Sequence, residues 1–241
     1  MKVFSWNVLA DCHVRPSWYP HVQPRDLEPQ SRRARVLSVL KQVDADVVLL
    51  QEVDTWLLTE LRRMGGRHWI HAPHSGEGVA VGTREPVRSW EAVDLGSKSA
   101  LVADLQDEVR VACVHLTWTG RDHGEPRRGV AQLERVLDWS PDLVGGDFNA
   151  LPQWPESRLM AARGYMSAGP QGPTCNVNQW LQPLDAIWIR GRSLSSMPLP
   201  PIGPSTPLPG ALCPSDHLPL LAIVELGRTS ERRPLFSGCL F

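Results

Sequence analysis

The chain lacks any paired-cysteine framework. Its five cysteines (Cys12, Cys113, Cys175, Cys213 and Cys239) are odd in number, widely scattered and form no C-x-x-C. That pattern argues against a disulfide scaffold and fits free thiols in a reducing compartment. Cys113, inside the apolar run Val111-Ala112-Cys113-Val114, is expected to be buried. Charge of one sign is also lacking. A net charge of −1 over 241 residues argues against a polyanion binder held by bulk charge alone. Arginines come in small groups such as Arg32-Arg33-Ala34-Arg35 and Arg127-Arg128, so a local basic groove stays open. No apolar run approaches membrane-spanning length, and the N-terminal stretch carries no signal-peptide core, so the default compartment is the cytoplasm. No internal repeat or linker divides the chain.

The remainder is ordinary: 42% hydrophobic and 21% charged residues describe a globular protein with enough chain for one large core. A single domain over residues 1–241 is expected, with a core over about 2–226 and a polar tail over 227–241. Lys2–Trp6 reads as a strand that delivers Asn7. Ser31 is placed to cap a helix running to Val43, with Val36, Leu37, Leu40 and Val43 on one face. Val47–Leu50 is a continuous apolar run, as in a strand covered on both faces, and it ends at Gln51-Glu52. A helix is expected from about Asp54 to Met64, followed by a meander of short strands at 69–72, 78–83, 87–94, 100–105 and 110–116. Helices over Arg127–Trp139 and Glu156–Arg163 flank Asp142-Leu143-Val144. Leu184–Ile189 and Leu218–Leu226 read as further strands. Seven prolines in the seventeen residues Pro198–Pro214 forbid regular structure there.

The chain is organised around Gly145-Gly146-Asp147-Phe148-Asn149-Ala150. In extended backbone Asp147 and Asn149 leave the same face, so a carboxylate and a carboxamide would project together beside two glycines that permit close approach. The competing reading is a turn, since these residue types dominate turns. The rest of the sequence favours a site. Asn7, Glu52, His115, Asp147, Asn149, Asp185, Asp216 and His217 are polar, and most stand at or beside the end of an apolar run, where a rigid core presents reactive groups. Four carboxylates drawn together repel one another unless a divalent cation offsets them. Carboxylate and amide oxygens without a cysteine cluster suit Mg2+, with Mn2+ as a substitute, and do not suit zinc. His68, His71 and His74 make no zinc site either, because that spacing alternates faces in a strand and no fourth ligand is evident.

Six segments then occur in order: Phe4-Ser5-Trp6-Asn7-Val8-Leu9-Ala10-Asp11, Leu50-Gln51-Glu52-Val53, Val114-His115-Leu116, Gly146-Asp147-Phe148-Asn149, Leu184-Asp185-Ala186-Ile187 and Pro214-Ser215-Asp216-His217. Together they resemble the motifs of the endonuclease/exonuclease/phosphatase superfamily, the DNase I-like proteins. Trp6–Asp11, Asn149-Ala150-Leu151-Pro152 and Pro214–Leu221 are most similar to the branch of deadenylases, nocturnin, Angel and 2′-phosphodiesterases. Ala186 departs from that branch, where an aromatic residue is usual. The resemblance implies an α/β fold of four layers, with two mixed, mainly antiparallel β-sheets packed face to face and helices outside. It implies a Mg2+-dependent phosphodiesterase or nuclease with Glu52 as principal metal ligand and Asn7 and Asp216 in the metal shell. Asp147 would orient or deprotonate the attacking water, and Asn149 would hold a phosphate oxygen. Asp185 would fix and charge His217, which with His115 would stabilise the developing negative charge. Asp216 and His217 are adjacent, so both serve one site only if that segment is loop, and Pro214 and Pro219 bracket it.

Trp118 and Trp154 are candidates for stacking an unpaired base, with core packing as the competing reading. Arg121, Arg127 and Arg128 are candidates for guiding a phosphate backbone, against a solvated helix start. The expected substrate is RNA at or near its 3′ end, or another phosphodiester. The expected assembly is a monomer without a membrane partner, as a free protein or as one domain of a larger RNA-processing protein. A DNA nuclease, a phosphodiesterase for a lipid or small-molecule phosphate, and an inactive nucleic-acid-binding module are the alternatives.

Overall fold

The computed structural model of the protein describes residues 1–120 and 128–227. Strand β1 (Lys2–Asn7) is followed by helices α1 (Pro24–Leu27) and α2 (Pro29–Gln42), and the chain returns as β2 (Val47–Gln51), parallel to β1. A parallel return requires a crossover of this kind. After α3 (Thr55–Met64), the hairpin β3 (His68–His74) and β4 (Glu77–Thr83) places β4 antiparallel to β2. The chain then changes sheet. Strands β5 (Ser89–Asp94), β6 (Ser99–Asp104) and β7 (Arg110–His115) run antiparallel, and α4 (Arg128–Leu137) leads to β8 (Leu143–Asp147), parallel to β7. Helix α5 (Pro155–Ala162), β9 (Met166–Ser167), the hairpin β10 (Cys175–Val177) and β11 (Trp180–Gln182), β12 (Asp185–Ile189), β13 (Gly191–Ser196) and β14 (Leu220–Leu226) complete the order. Two six-stranded sheets result, β13-β14-β1-β2-β4-β3 and β5-β6-β7-β8-β12-β9.

Side-chain alternation builds the layers. Val47 and Leu49 of β2 pack between the sheets with Val3, Leu101, Cys113, Leu143 and Ile187. Val48 and Leu50 face outward against Val36 and Leu40 of α2 and Leu57 and Leu61 of α3. On the far side Val114 and Val144 meet Leu133 and Val136 of α4 and Met160 of α5. Helix, sheet, sheet and helix thus form the four layers, and the continuous apolar run of β2 is covered on both faces.

Several local expectations change. Helix α2 begins at Pro29 with Glu28 as its N-cap, so Ser31 lies inside the first turn; proline suits that first position because its missing N–H has no partner there. The expected meander is split, β3 and β4 lying in the first sheet and β5 to β7 in the second. Gly145 and Gly146 make no turn: both sit inside β8. A Cβ at Gly146, whose φ is 148°, would lie 1.9 Å from the Val114 carbonyl oxygen. Asp54 does cap α3, its carboxylate accepting from the Leu57 N–H at 3.1 Å. The four described cysteines are free thiols, with Cys113 buried. Among the described residues no helix is long and apolar enough to cross a membrane. The polar tail expected over 227–241 lies outside the described residues beyond Gly227.

Candidate active site

Each sheet contains one parallel pair, and both pairs end at the same place. In the first sheet Asn7 stands beside Gln51, with Glu52 next in the chain. In the second, His115 stands beside Asp147, and Asp185 opens β12 opposite Asp147. The loop 215–217 adds Asp216 and His217. It is irregular, as its flanking prolines implied, and is held by a bridge between Cys175 and His217, by Trp6 Nε1 donating to the His217 carbonyl at 2.8 Å and by Ser215 Oγ donating to the Asn7 carbonyl at 2.7 Å. Glu52 and Asn149 adopt positive φ, 59° and 46°. Non-glycine residues seldom do so, and here it occurs where two strands end at the cleft.

Asp147 lies at the centre. Its Oδ1 accepts from the Asn149 N–H at 2.8 Å, and its Oδ2 accepts from Asn7 Nδ2 at 3.0 Å. His115 Nε2 and His217 Nε2 approach that Oδ2 at 3.6 and 3.8 Å. Asn7 also donates to Glu52 Oε1 at 3.0 Å, and the Ala10 N–H donates to Glu52 Oε2 at 2.8 Å. Asp216 Oδ2 accepts from the Tyr19 hydroxyl at 3.0 Å. Asn149 Nδ2 donates to the Leu116 carbonyl at 2.8 Å. Asp185 Oδ2 lies 2.8 Å from His217 Nδ1 and also accepts from Thr174 Oγ1 at 2.6 Å.

Burial and charge divide these groups. Burial pushes the Asp147 carboxyl up to about 7, with Asp185 adding to the rise and His217 opposing it. Burial raises Glu52 as well, reinforced by Glu77 and Asp216 and opposed by His13. The two histidines go opposite ways. Burial opposes a charged His217, yet the neighbouring anions, Asp185 foremost, hold its pKa well above the ordinary value. His115 is pushed well below that value by burial and by Lys98. One imidazole is therefore a cation and the other a neutral hydrogen-bonding group.

Glu52, Glu77, Asp147, Asp185 and Asp216 are all buried. Glu77 is engaged by Lys98 Nζ at 2.6 Å and His13 Nε2 at 3.3 Å, and Asp185 by His217. Glu52 and Asp216 accept hydrogen bonds from neutral donors, Glu52 from the Asn7 amide and the Ala10 N–H and Asp216 from the Tyr19 and Ser215 hydroxyls. Buried carboxylates held by neutral donors lack compensating charge. Oxygen donors with a charge deficit fit a divalent cation.

The site opens into a cleft of about 530 Å³ lined by Glu52, His115, Asp147, Asn149, Asp216 and His217 and by Trp18, Tyr19, Trp118 and Trp180. Trp118 is 37% exposed. Its ring packs edge-on against Trp180 at 5.5 Å and tilted by 37° against Trp154 at 5.9 Å. Trp154 itself is 8% exposed and lies outside the lining of this cleft, bordering a neighbouring depression with Leu181 and Pro183. It backs Trp118 and packs in the core cluster beneath α4 and α5. Arg121 and Arg127 lie outside the described residues, and Arg128 is exposed at the start of α4.

Sequence reasoning missed Tyr19, Thr174, Trp180, His13, Glu77 and Lys98. Trp180 carried a readable signal. Asn178 and Gln179 both have positive φ, 51° and 62°, and an asparagine in a two-residue turn between short runs marks such a hairpin.

Two mixed sheets packed face to face, with acids, amides and histidines gathered where their parallel pairs end, define the DNase I-like class of phosphoesterases and nucleases. The chain belongs to the Endonuclease/Exonuclease/phosphatase family, whose model matches residues 4–217. Among solved structures it is similar to ANGEL2, described as a 2′,3′-cyclic phosphatase, with a TM-score of 0.78 and 19% identity over 92% of this chain and 93% of that one. It is also similar to the human nocturnin catalytic domain, with a TM-score of 0.69 and 19% identity over 94% of this chain and 93% of that one. Carbon catabolite repressor protein 4 homolog 4 of Arabidopsis thaliana is 40% identical over 55 residues, which are 23% of this chain and 13% of that protein's length.

Proposed function

We propose that this chain is a magnesium-dependent phosphoesterase that hydrolyses phosphoester bonds at or near the 3′ end of RNA, as an exonuclease or as an end-processing phosphodiesterase or phosphatase. The observation that carries this reading is the cleft itself. Its acids and histidines line the same space as Trp118 and Trp180. Aromatic side chains beside the acids suit an unpaired terminal base, which stacks on such rings, better than a continuous duplex. The likeness to ANGEL2, described as a 2′,3′-cyclic phosphatase, supports the substrate class.

Glu52, Asn7 and Asp216 would hold Mg2+, which when bound supplies Lewis-acid stabilisation of a phosphoryl oxygen. Asp147 Oδ2, fixed by Asn7, is the atom that takes a proton from the attacking water. His217, its Nδ1 held by Asp185, presents a charged Nε2–H to the non-bridging oxygens, where negative charge grows. His115 and Asn149 add neutral hydrogen bonds.

Asp185→Asn is expected to shift the pH profile. Asp185 raises the His217 pKa, so the charged form persists to higher pH in the native site. Without that carboxylate the cation is lost earlier, and the alkaline limb of kcat should move to lower pH. An unmoved limb would detach His217 from that limb. Trp118→Ala and Trp180→Ala are each expected to raise KM for single-stranded RNA by about 5–150-fold, since base–aromatic stacking is worth about 1–3 kcal/mol. A KM for both variants equal to that of the unaltered protein would remove the base from this wall.

A panel tests the reading directly. Single-stranded RNA with a 3′-hydroxyl, RNA with a 2′,3′-cyclic phosphate, abasic duplex DNA and a phosphodiester lipid are assayed with magnesium. Hydrolysis of an RNA end is expected, and cleavage confined to the DNA or the lipid would overturn it.

A further inference from the structure

We infer that the cleft contains a thiolate-bearing site for a soft divalent metal, formed by Cys175, Asp216 and His217, at which zinc would compete with the hydrolytic function. The ligand atoms of these three residues all lie within 4.8 Å of one another, and all three residues are buried. A tetrahedral zinc shell needs its donors about 3.3–3.6 Å apart, given Zn–S of about 2.3 Å and Zn–N and Zn–O of about 2.0–2.2 Å. The closure required is thus on the order of 1 Å. Sulfur, nitrogen and carboxylate oxygen together select zinc, whereas magnesium shuns the thiolate.

The donors are positioned by the backbone. Cys175 and His217 are antiparallel bridge partners. The flanking N–H groups of Asn176 and Leu218 donate to the carbonyls of Asp216 and Thr174 at 3.0 and 2.7 Å. Each remaining ligand also has an outer partner. Asp185 holds His217 Nδ1 at 2.8 Å, and Tyr19 donates to Asp216 Oδ2 at 3.0 Å. Metal-ligating histidines characteristically carry a carboxylate partner of this kind. All three residues line the cleft.

Burial pushes the Cys175 thiol up to about 12. Coordination replaces two protons: Zn2+, Cys–SH and the His217 imidazolium give a thiolate- and imidazole-bound zinc, and two H+ leave to solvent. With Asp216 and His217 engaged in this way, neither is available for hydrolysis. That inhibitory consequence rests on the proposed function; the binding does not.

The full-length protein, stripped of metal, is titrated with Co2+ as a spectroscopic stand-in for zinc. A thiolate-to-cobalt charge-transfer band in the near ultraviolet is expected, bleached by Zn2+, absent from Cys175→Ser and retained in Cys12→Ser. In the phosphoesterase assay Cys175→Ser should raise the half-inhibitory Zn2+ concentration by about tenfold or more, compared with its own uninhibited rate. Should Cys175→Ser fail to fold, zinc-edge X-ray absorption on Cys12→Ser decides, with one sulfur and nitrogen or oxygen neighbours expected. A band that survives Cys175→Ser, or a zinc shell without sulfur, would overturn the site. A band that behaves as expected in a protein inactive on every RNA end would leave the site standing and sink the proposed function instead.

Discussion

Replacing Asp147 by asparagine is expected to lower the rate of phosphoester hydrolysis by about 10²–10⁴-fold, the usual loss on removing a positioned general base, with the fold intact. The side chain ends β8 between Asn7 and the two histidines, and its Oδ2 is 3.0 Å from Asn7 Nδ2. Asparagine keeps the volume and still accepts from the Asn149 N–H, but its Nδ2 takes up no proton and faces the Asn7 Nδ2 donor in place of an acceptor. Stability should change little in the metal-free protein, the lost Asn7 bond offsetting the removal of a buried carboxyl. Burial has already pushed the native carboxyl up to about 7, so ionisation of Asp147 works against folding. The sign follows from linkage: with the folded pKa above the unfolded one, the native state binds more protons between them, and stability falls as pH rises through that window. Asparagine removes this dependence. The checks are kcat and the urea midpoint at pH 5 and pH 8. A variant that hydrolyses RNA ends at the wild-type rate would remove Asp147 from the chemistry.

Gly146→Ala is expected to cost at least about 4 kcal/mol, the range reserved for backbone incompatibility and severe overpacking. The added Cβ would stand 1.9 Å from the Val114 carbonyl oxygen, and the φ of 148° is itself strained for any L side chain. Val114 lies opposite Gly146 in the parallel register of β7 and β8, one residue before His115 and Asp147. Relief of the collision would have to separate the strands that position both. Gly145→Ala provides the comparison. There the Cβ would meet Leu49 Cδ1 at 2.6 Å, a side-chain end that can turn away, so a loss of about 1–3 kcal/mol is expected. Equilibrium urea unfolding of the two variants measures the difference. Equal losses would mean that the Val114 carbonyl is not the obstacle.

The glycine pair also shows where sequence reasoning reaches its limit. Gly145-Gly146 beside Asp147 looked like a turn or a phosphate approach, because composition cannot tell a tight strand contact from a bend. What makes the glycines necessary is Val114 across the sheet and Leu49 in the opposite layer, and neither is near in sequence. Asn7, Glu52, His115 and Asp147 were legible for the opposite reason: each follows an apolar run that could only be core, so its place at a strand end was already implied. Glu77 was not. Within Gly76-Glu77-Gly78 it resembles a solvated turn acid, yet it begins β4, is buried and holds Lys98 and His13 at the cleft. Strand β13 escaped notice because it is an edge strand, exposed at most positions, so it shows no alternation of apolar and polar residues.

The most direct test is a magnesium titration of hydrolysis at an RNA 3′ end, carried out on chelator-stripped wild type and on Glu52→Gln. The wild-type protein should be inactive until magnesium is restored. Glu52→Gln should need at least about tenfold more metal to reach half of its own maximal rate, as expected when a carboxylate ligand loses its charge. Full hydrolysis in the presence of chelator, or an identical magnesium dependence for the two proteins, would contradict the view that these buried acids act by holding a hard cation.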